Sequence, residues 1–303
     1  MDQIVFKTRI LIFGANGSLG RRCAEVFQAR PDIELLLCSA NDRGLFPFGQ
    51  FVQADATKPE EVKKIVASFR PDLIINASAF TNVDLCESER QNAWLVNVRL
   101  VENIADAARV FDSYVIHIST DYVFDGVRGP YYETDKTNPV SYYGRTKLAS
   151  ENALRISGVP HTILRTNVLY GLFPGGKLDF VRWVVNSVRK GETIRIVTDQ
   201  INNPTFVDDL VFAIEQVFTF RRQGIYHTGG MDFLSRYDFT LRIAEIFNLD
   251  TSYIKAIKTE DLNQPARRPL KSGLYTIKAQ SEFSYRPHTL DDSLHLMKKI
   301  LEQ

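Results

Sequence analysis

Cysteine, tryptophan and net charge are all in short supply in this chain. Among 303 residues there are three Cys and two Trp, and 37 Lys+Arg face 36 Asp+Glu, for a formal net charge of +1. Each shortage excludes something. Cys23, Cys38 and Cys86 are odd in number, widely spaced and free of any CxxC pattern, so they supply neither a disulfide framework nor a zinc site and suit a reducing compartment. A chain with no basic excess and no basic run longer than two lacks the surface that tracks phosphates along a nucleic acid. Long apolar runs are missing too. No segment approaches the roughly 20 apolar residues that span a bilayer, and the stretch MDQIVFKTRILIFGANG is too short and wrongly flanked for a signal peptide. The expectation is a soluble cytoplasmic protein with neither nucleic acid nor membrane as a partner.

What is present is core-forming material, 44% hydrophobic residues, in a length that suits one large domain with a smaller appendage. Short apolar runs at 9–14, 33–38, 72–78 and 114–120 alternate with amphipathic stretches near 18–29, 59–69 and 87–110. Strands apolar throughout, separated by helices, predict a parallel sheet covered on both faces, the α/β doubly wound Rossmann-type architecture. A polar and aromatic loop over 125–143 interrupts the alternation. A helix at about 144–157 and a strand at 161–171 restore it. Beyond 171 the rhythm loosens: a Gly/Pro-rich FPGGK loop, helices near 177–190, 207–219 and 235–247, and strands TIRIV and GIYHTGG. The expected division is a dinucleotide-binding domain over 1–170 and a mainly substrate-binding region over 171–303, some segments of which return to the first.

The first strand runs into Gly14-Ala15-Asn16-Gly17-Ser18-Leu19-Gly20 and then a helix. Glycines at this spacing let the backbone turn tightly and approach a pyrophosphate without a Cβ in the way, while the helix aims its free N–H groups at the phosphates. The strand–turn–helix setting makes dinucleotide binding the expected role. At the tip of the second strand, where NAD readers place a carboxylate, the chain has Ser39, and Arg43 follows. Both suit a 2′-phosphate, so NADP(H) is favoured; Asp42, a little further along, keeps NAD(H) open.

Reduction of a carbonyl needs a proton donor beside the nicotinamide. Tyr143 and Lys147 lie four apart at the start of a helix, on one face, and a neighbouring ammonium would draw the phenol pKa down. Tyr132 and Lys136 share the spacing but sit in an acidic loop between prolines, and Tyr142 has Thr146 as its fourth neighbour, so position selects Tyr143. The strand YVIHIST ends at Ser119-Thr120, where a hydroxyl can meet a substrate carbonyl or merely cap the strand.

The strings GANGSLG, INASAFTNVD, ISTDYVFDG, YYGRTKLASE, RTNVLYG and DQINNPTFVDDL, in this order, resemble the extended short-chain dehydrogenase/reductases, and within them the dTDP-4-dehydrorhamnose reductase-like family, from residue 9 to about 269. The resemblance implies an NAD(P)-dependent oxidoreductase in which Thr120, Tyr143 and Lys147 are catalytic. It places the pyrophosphate on Gly14, Gly17 and Gly20 with Asn16, Ser18 and Leu19, the adenine by Asp55 and Ala56, and Asn76, Ala77, Ser78 and Ala79 along the cofactor. Val83, Tyr122 and Asn167 would face the sugar, with Gln200, Asn203 and Arg267 or Arg268 near the nucleotide. No metal is implied, and a homodimer is compatible. Two departures stand out. Thr120-Asp121 is followed by Tyr122 where dehydratases carry an acidic pair, which argues against dehydration, and Val168 stands where the reductases place a Trp against the sugar. The expected activity is reduction of a nucleotide-linked 4-keto-6-deoxy sugar. The alternatives are a non-catalytic regulatory subunit resembling the methionine adenosyltransferase β subunit, and a nucleotide-sugar 4-epimerase.

Overall fold

The computed structural model describes residues 7–42, 48–172 and 178–302; Arg43 and the loop 173–177 lie outside them. The central sheet is built from β1 (Thr8–Phe13), β2 (Ile33–Ser39), β3 (Gln50–Gln53), β4 (Leu73–Asn76), β5 (Tyr114–Thr120) and β6 (His161–Thr166). Short strands β7 (Leu169–Tyr170), β8 (Ile194–Val197), β9 (Ile201–Asn202) and β10 (Thr205–Phe206) follow, and β11 (Gly224–His227) returns to the sheet. Its seven strands run parallel in the order β11-β6-β5-β4-β1-β2-β3. This is the expected doubly wound sheet, with one strand the apolar-run reading passes over. β3, QFVQ, is four residues long, ends in exposed Gln at both sides and lies at the sheet edge, where one-sided pairing needs no apolar run.

The consecutive apolar residues of the strands have a physical reason: alternate side chains enter separate cores. In β1, Ile10 and Ile12 join the core under α1 (Ser18–Gln28) and α8 (Val207–Thr219). Leu11 and Phe13 join the core under α2 (Pro59–Phe69) and α5 (Leu100–Val110). Between β4 and β5 the single stretch expected over 87–110 is broken into α3 (Leu85–Ser88), α4 (Arg90–Trp94), a π-helical turn Leu95–Arg99, and α5. The π turn holds buried Asn97, whose side chain accepts from Phe80 N at 2.8 Å and donates to Thr146 Oγ1 at 2.9 Å. A third core, from Tyr170 through α7 (Phe180–Arg189) and α9 (Arg236–Phe247) to α11 (Leu290–Leu301), supports the residues that face the sheet's carboxyl edge. Two-stranded β13 (Ile254–Ile257) with β8, and β12 (Leu234–Ser235) with β9, complete it, and α10 (Ile277–Phe283) covers β11.

Helix α6 (Tyr142–Ile156) is fixed to the sheet by charge as well as by packing. Glu151 forms a forked ion pair with Arg165 of β6, at 2.9 and 2.7 Å, and accepts from the Ser119 hydroxyl of β5. The two charged side chains are 1% and 3% exposed. Removing one partner of such a pair strands the other charge in the core. We therefore predict that Glu151→Leu lowers stability by about 3–5 kcal/mol, read from the urea midpoint, and that Glu151→Gln, which keeps an acceptor, loses less.

Candidate active site

Because every strand of the main sheet points the same way, β1, β4, β5 and β6 deliver their ends to one edge. Two cavities open there. One of about 390 Å³ is lined by Gly14, Asn16, Gly17, Ser39, Asp55, Ala56 and Ala77–Ala79 among others. The other, about 550 Å³, is lined by Asn16–Leu19, Ala77–Ala79, Val83, Thr120, Asp121, Tyr122, Tyr143, Lys147, Asn167, Val168 and Arg236 among others. Asn16, Gly17 and Ala77–Ala79 belong to both, so the two cavities form one continuous groove across the glycine turn.

The glycines of the turn have individual reasons. Gly14 takes φ +79°, and a Cβ there would lie 2.6 Å from Ser78 N; one on Gly20 would lie 2.3 Å from Gly14 O. The Asn16 side chain donates to Asp42 O, while its Oδ1 is a buried acceptor with no partner. A Cβ-free backbone and an orphaned acceptor between the two cavities fit a dinucleotide lying along the groove. Ser39 ends β2 with no carboxylate beside it, and Asp55 caps the next turn, accepting from Thr57 N and Oγ1 at 3.0 and 2.6 Å.

Tyr143 and Lys147 occupy the first turns of α6, whose N-terminus is capped by Ser141, accepting from Gly144 N at 3.2 Å. Gly144 allows the close approach that forms the site: a Cβ there would meet Tyr122 O at 2.2 Å. The Tyr122 and Tyr143 rings consequently meet edge to face at 5.6 Å. Lys147 Nζ donates to Ile118 O at 2.7 Å and lies 3.3 Å from His117 Nε2. His117 is itself fixed. Asn76 Oδ1 accepts from Ser78 N, so its amide nitrogen faces His117 Nδ1 at 3.1 Å and leaves the ring proton on Nε2, toward Ser150 Oγ at 3.0 Å. Burial, then the Lys147 charge, hold His117 neutral.

Burial pushes the Lys147 ammonium down to about 8, opposed by Glu151. The phenol of Tyr143 is not drawn down as the spacing argument has it. Burial and then the Asp121 carboxylate push it well above the ordinary phenol range, against the Thr120 hydroxyl. Tyr143 therefore holds its proton in the free protein, the state a proton donor needs.

Of the other expected residues, Ser18, Leu19, Val83, Tyr122 and Asn167 line the larger cavity. Asn76 lines neither cavity; it shapes the Ala77–Ala79 loop from behind. Four others also stay off the cavity wall. Gln200 donates to Thr259 Oγ1, and Arg267 is exposed. Asn203 is fully buried, accepting from Asn167 and Leu274 N and donating to Gly230 O and Leu274 O. Arg268 is paired with Asp84 at 2.5 Å. Tyr132 and Lys136 lie in an irregular segment, as expected. Ser119 is committed to Glu151; Thr120, on the cavity wall with Tyr143, caps the turn after β5, its Oγ1 accepting from Tyr122 N at 3.2 Å and donating to Asp121 at 3.0 Å. Sequence reasoning missed Asp121, His117 and Arg236 as parts of the site. For Arg236 a signal existed: it follows a capping Ser235 at the start of a helix. Val168, at the expected Trp position, takes φ +27°, a strained setting for a β-branched residue on a ligand wall. Among the described residues no group of three or more His, Cys, Asp or Glu could hold a metal ion, and no helix is long and apolar enough to cross a membrane.

A parallel doubly wound sheet, a glycine turn opening onto its edge, and Thr120, Tyr143 and Lys147 beside that turn define an NAD(P)-dependent oxidoreductase of the extended short-chain dehydrogenase/reductase class. More narrowly, the chain belongs to the RmlD substrate binding domain family, which it matches over residues 8–302. It is 34% identical to a dTDP-4-dehydrorhamnose reductase of Aggregatibacter actinomycetemcomitans, over 97% of this chain and 99% of that one. Among solved structures it is similar to a dTDP-4-dehydrorhamnose reductase from Clostridium acetobutylicum, with TM-score 0.88 and 30% identity over 98% of this chain and 100% of that one. It is also similar to the Bacillus anthracis dTDP-4-dehydrorhamnose reductase in complex with NADP, with TM-score 0.86 and 29% identity over the same shares of the two chains.

Asp121 is a buried carboxyl pushed up to about 6 by its surroundings, chiefly burial, against hydrogen bonds from Ser272 and Thr120. Between the ordinary 3.8 and about 6 the folded chain keeps a proton the unfolded chain has released, so the carboxylate's unfavourable contribution is full above pH 6 and gone near pH 4. Asp121→Asn should thus be more stable than the parent by roughly 1–3 kcal/mol at pH 7. The gap should close toward pH 4, as measured by urea unfolding across pH.

Proposed function

We propose that this protein reduces the keto group of a nucleotide-linked 4-keto-6-deoxy sugar with NADPH, Tyr143 giving the proton to the C4 oxygen. The observation that carries the reading is the larger cavity, where Thr120, Tyr143 and Lys147 share one wall with the glycine turn. Family membership and the reductase names of its relatives support it. Bound NADPH supplies the hydride. Gly14, Gly17 and the N-terminus of α1 would hold its pyrophosphate, Ser39 would meet the adenosine 2′-phosphate, and Asp55 and Ala56 would flank the adenine. NADP in the Bacillus anthracis relative and the absence of a carboxylate at the tip of β2 favour NADPH over NADH.

The chain's own residues then divide the work. Thr120 and Tyr143 present hydroxyls to the carbonyl oxygen, and the protonated phenol is the acid. Lys147, anchored on Ile118 O, keeps further N–H groups for the nicotinamide ribose and for resupplying the proton to the phenol. Val83, Tyr122, Asn167 and Val168 form the sugar end, and the region after 171 closes it. Val168 offers less stacking surface than Trp, so the reading extends to the class of sugar rather than to 4-dehydrorhamnose itself.

Tyr143→Phe should lower kcat with a 4-keto sugar nucleotide by about 10²-fold or more while the NADPH Kd stays within twofold; undiminished NADPH consumption would refute the role. The ratio of kcat/KM for NADPH to that for NADH should exceed ~10, about 1.4 kcal/mol of discrimination, and a ratio below 1 would overturn the cofactor assignment. NAD carried tightly through purification would indicate the 4-epimerase instead. A stable complex with a synthetase, without turnover, would indicate the regulatory subunit.

A further inference from the structure

Three arginines withdrawn from solvent elsewhere in the fold have carboxylate partners. Arg165 pairs with Glu151, Arg182 with Asp179 and Arg268 with Asp84, at 2.7, 2.6 and 2.5 Å. Arg236 differs. It is partly buried, lines the larger cavity with Thr120, Tyr122 and Tyr143, and forms no ion pair among the described residues. Its position is nonetheless fixed. It opens α9 behind the Ser235 cap, its backbone N donates to Gln200 O at 3.0 Å, and its guanidinium lies over the Phe180 ring at 4.9 Å. Burial lowers its pKa, against Tyr122 and Asp121. Asp121 acts on it only through space: its oxygens accept from Thr120 and Ser272, and it forms no ion pair with Arg236. The other charged groups on the cavity wall are committed as well. Asp179 caps α7 and holds Arg182, and Lys147 is anchored on Ile118 O.

A partly desolvated guanidinium that lies over a ring, lines a cavity and lacks a direct ion-pair partner gains from an anion that reaches it. We propose that Arg236 is the receptor for an anionic group of the substrate at the sugar end of the cavity, supplied by a phosphate of the nucleotide diphosphate or by a carboxylate on the sugar. The proposal rests on the nucleotide-sugar reading above and deepens it. The planar fork of Arg matches either oxyanion in bidentate fashion. The cofactor's own phosphates have the glycine turn and the N-terminus of α1, so this cation is free for the second ligand.

The test is calorimetric titration of the NADP-saturated full chain with thymidine diphosphate, thymidine, UDP-glucose and UDP-glucuronate, for the parent, Arg236→Met and Arg236→Lys. If the diphosphate is the anion, Arg236→Met weakens thymidine diphosphate by about 10- to 100-fold and leaves thymidine unchanged, and Arg236→Lys recovers part of the loss. If a sugar carboxylate is the anion, thymidine diphosphate is unaffected, but the parent prefers UDP-glucuronate to UDP-glucose and Arg236→Met abolishes that preference. Either result supports the receptor. Parent-like affinities for all four probes in Arg236→Met overturn it, as does a parent that binds none of them at millimolar concentration. An unchanged NADP Kd in the variants certifies their folding. The titration requires no turnover, so a chain that binds through Arg236 yet reduces no keto sugar refutes the reductase reading and keeps the anion site.

Discussion

The attachment of α6 to the sheet is the interaction on which the site depends. Glu151 grips Arg165 of β6 and Ser119 of β5, and one turn earlier Lys147 reaches the Ile118 carbonyl. These contacts, all buried, set the rotation and height of the helix, and its first turn carries Tyr143. Gly144 then permits the helix to lie directly on the Tyr122 carbonyl. Three distant segments of the chain reach hydrogen-bonding range of one another because a single helix is tied at both of its ends.

That attachment also sets the electrostatics. Desolvation lowers Lys147 and raises Tyr143, so each departs from its ordinary value toward its neutral form. In a low-dielectric pocket a tyrosinate beside Asp121 would be doubly unfavourable, and the proton stays on the phenol. A protonated phenol is the state that the proposed role of proton donor requires. His117, fixed as its Nε2–H tautomer by Asn76, joins the Ala77–Ala79 loop to Ser150 of α6 through side chains withdrawn from water. Ser150 in turn donates to Lys147 O, so a shift of that loop would be felt on the helix that carries the lysine.

How much of this was legible in the sequence follows from what each feature demands locally. The glycine turn, the apolar strands, and Tyr143 with Lys147 are short-range patterns imposed by backbone sterics and helical periodicity; the strands form the expected sheet, and the turn and the pair line one cavity. The edge strand β3 was missed because it is short and half-polar. Asp121, His117 and Arg236 were missed as site members because their roles depend on contacts 30 to 150 residues away, Lys147 and Ser272 among them. Asn203 and Arg268 match familiar strings, yet one is a fully bonded strut and the other half of an ion pair. A string identifies residues that travel together, not which of them faces the ligand.

On the proposed reading the two ends of the groove recognise charge by different means, neither of which needs a basic excess. Toward the glycine turn, negative groups would be met by backbone N–H groups and a helix dipole, which the local sequence must encode and which leave no trace in a count of Lys and Arg. At the far end the proposed receptor is a side chain, Arg236. Backbone recognition is hard to alter without rebuilding the turn. Side-chain recognition changes with one substitution, and the wall it shares with Val168 already departs from the Trp of similar reductases. On that reading, specificity is free to drift at one end of the groove while the chemistry and the cofactor stay fixed at the other.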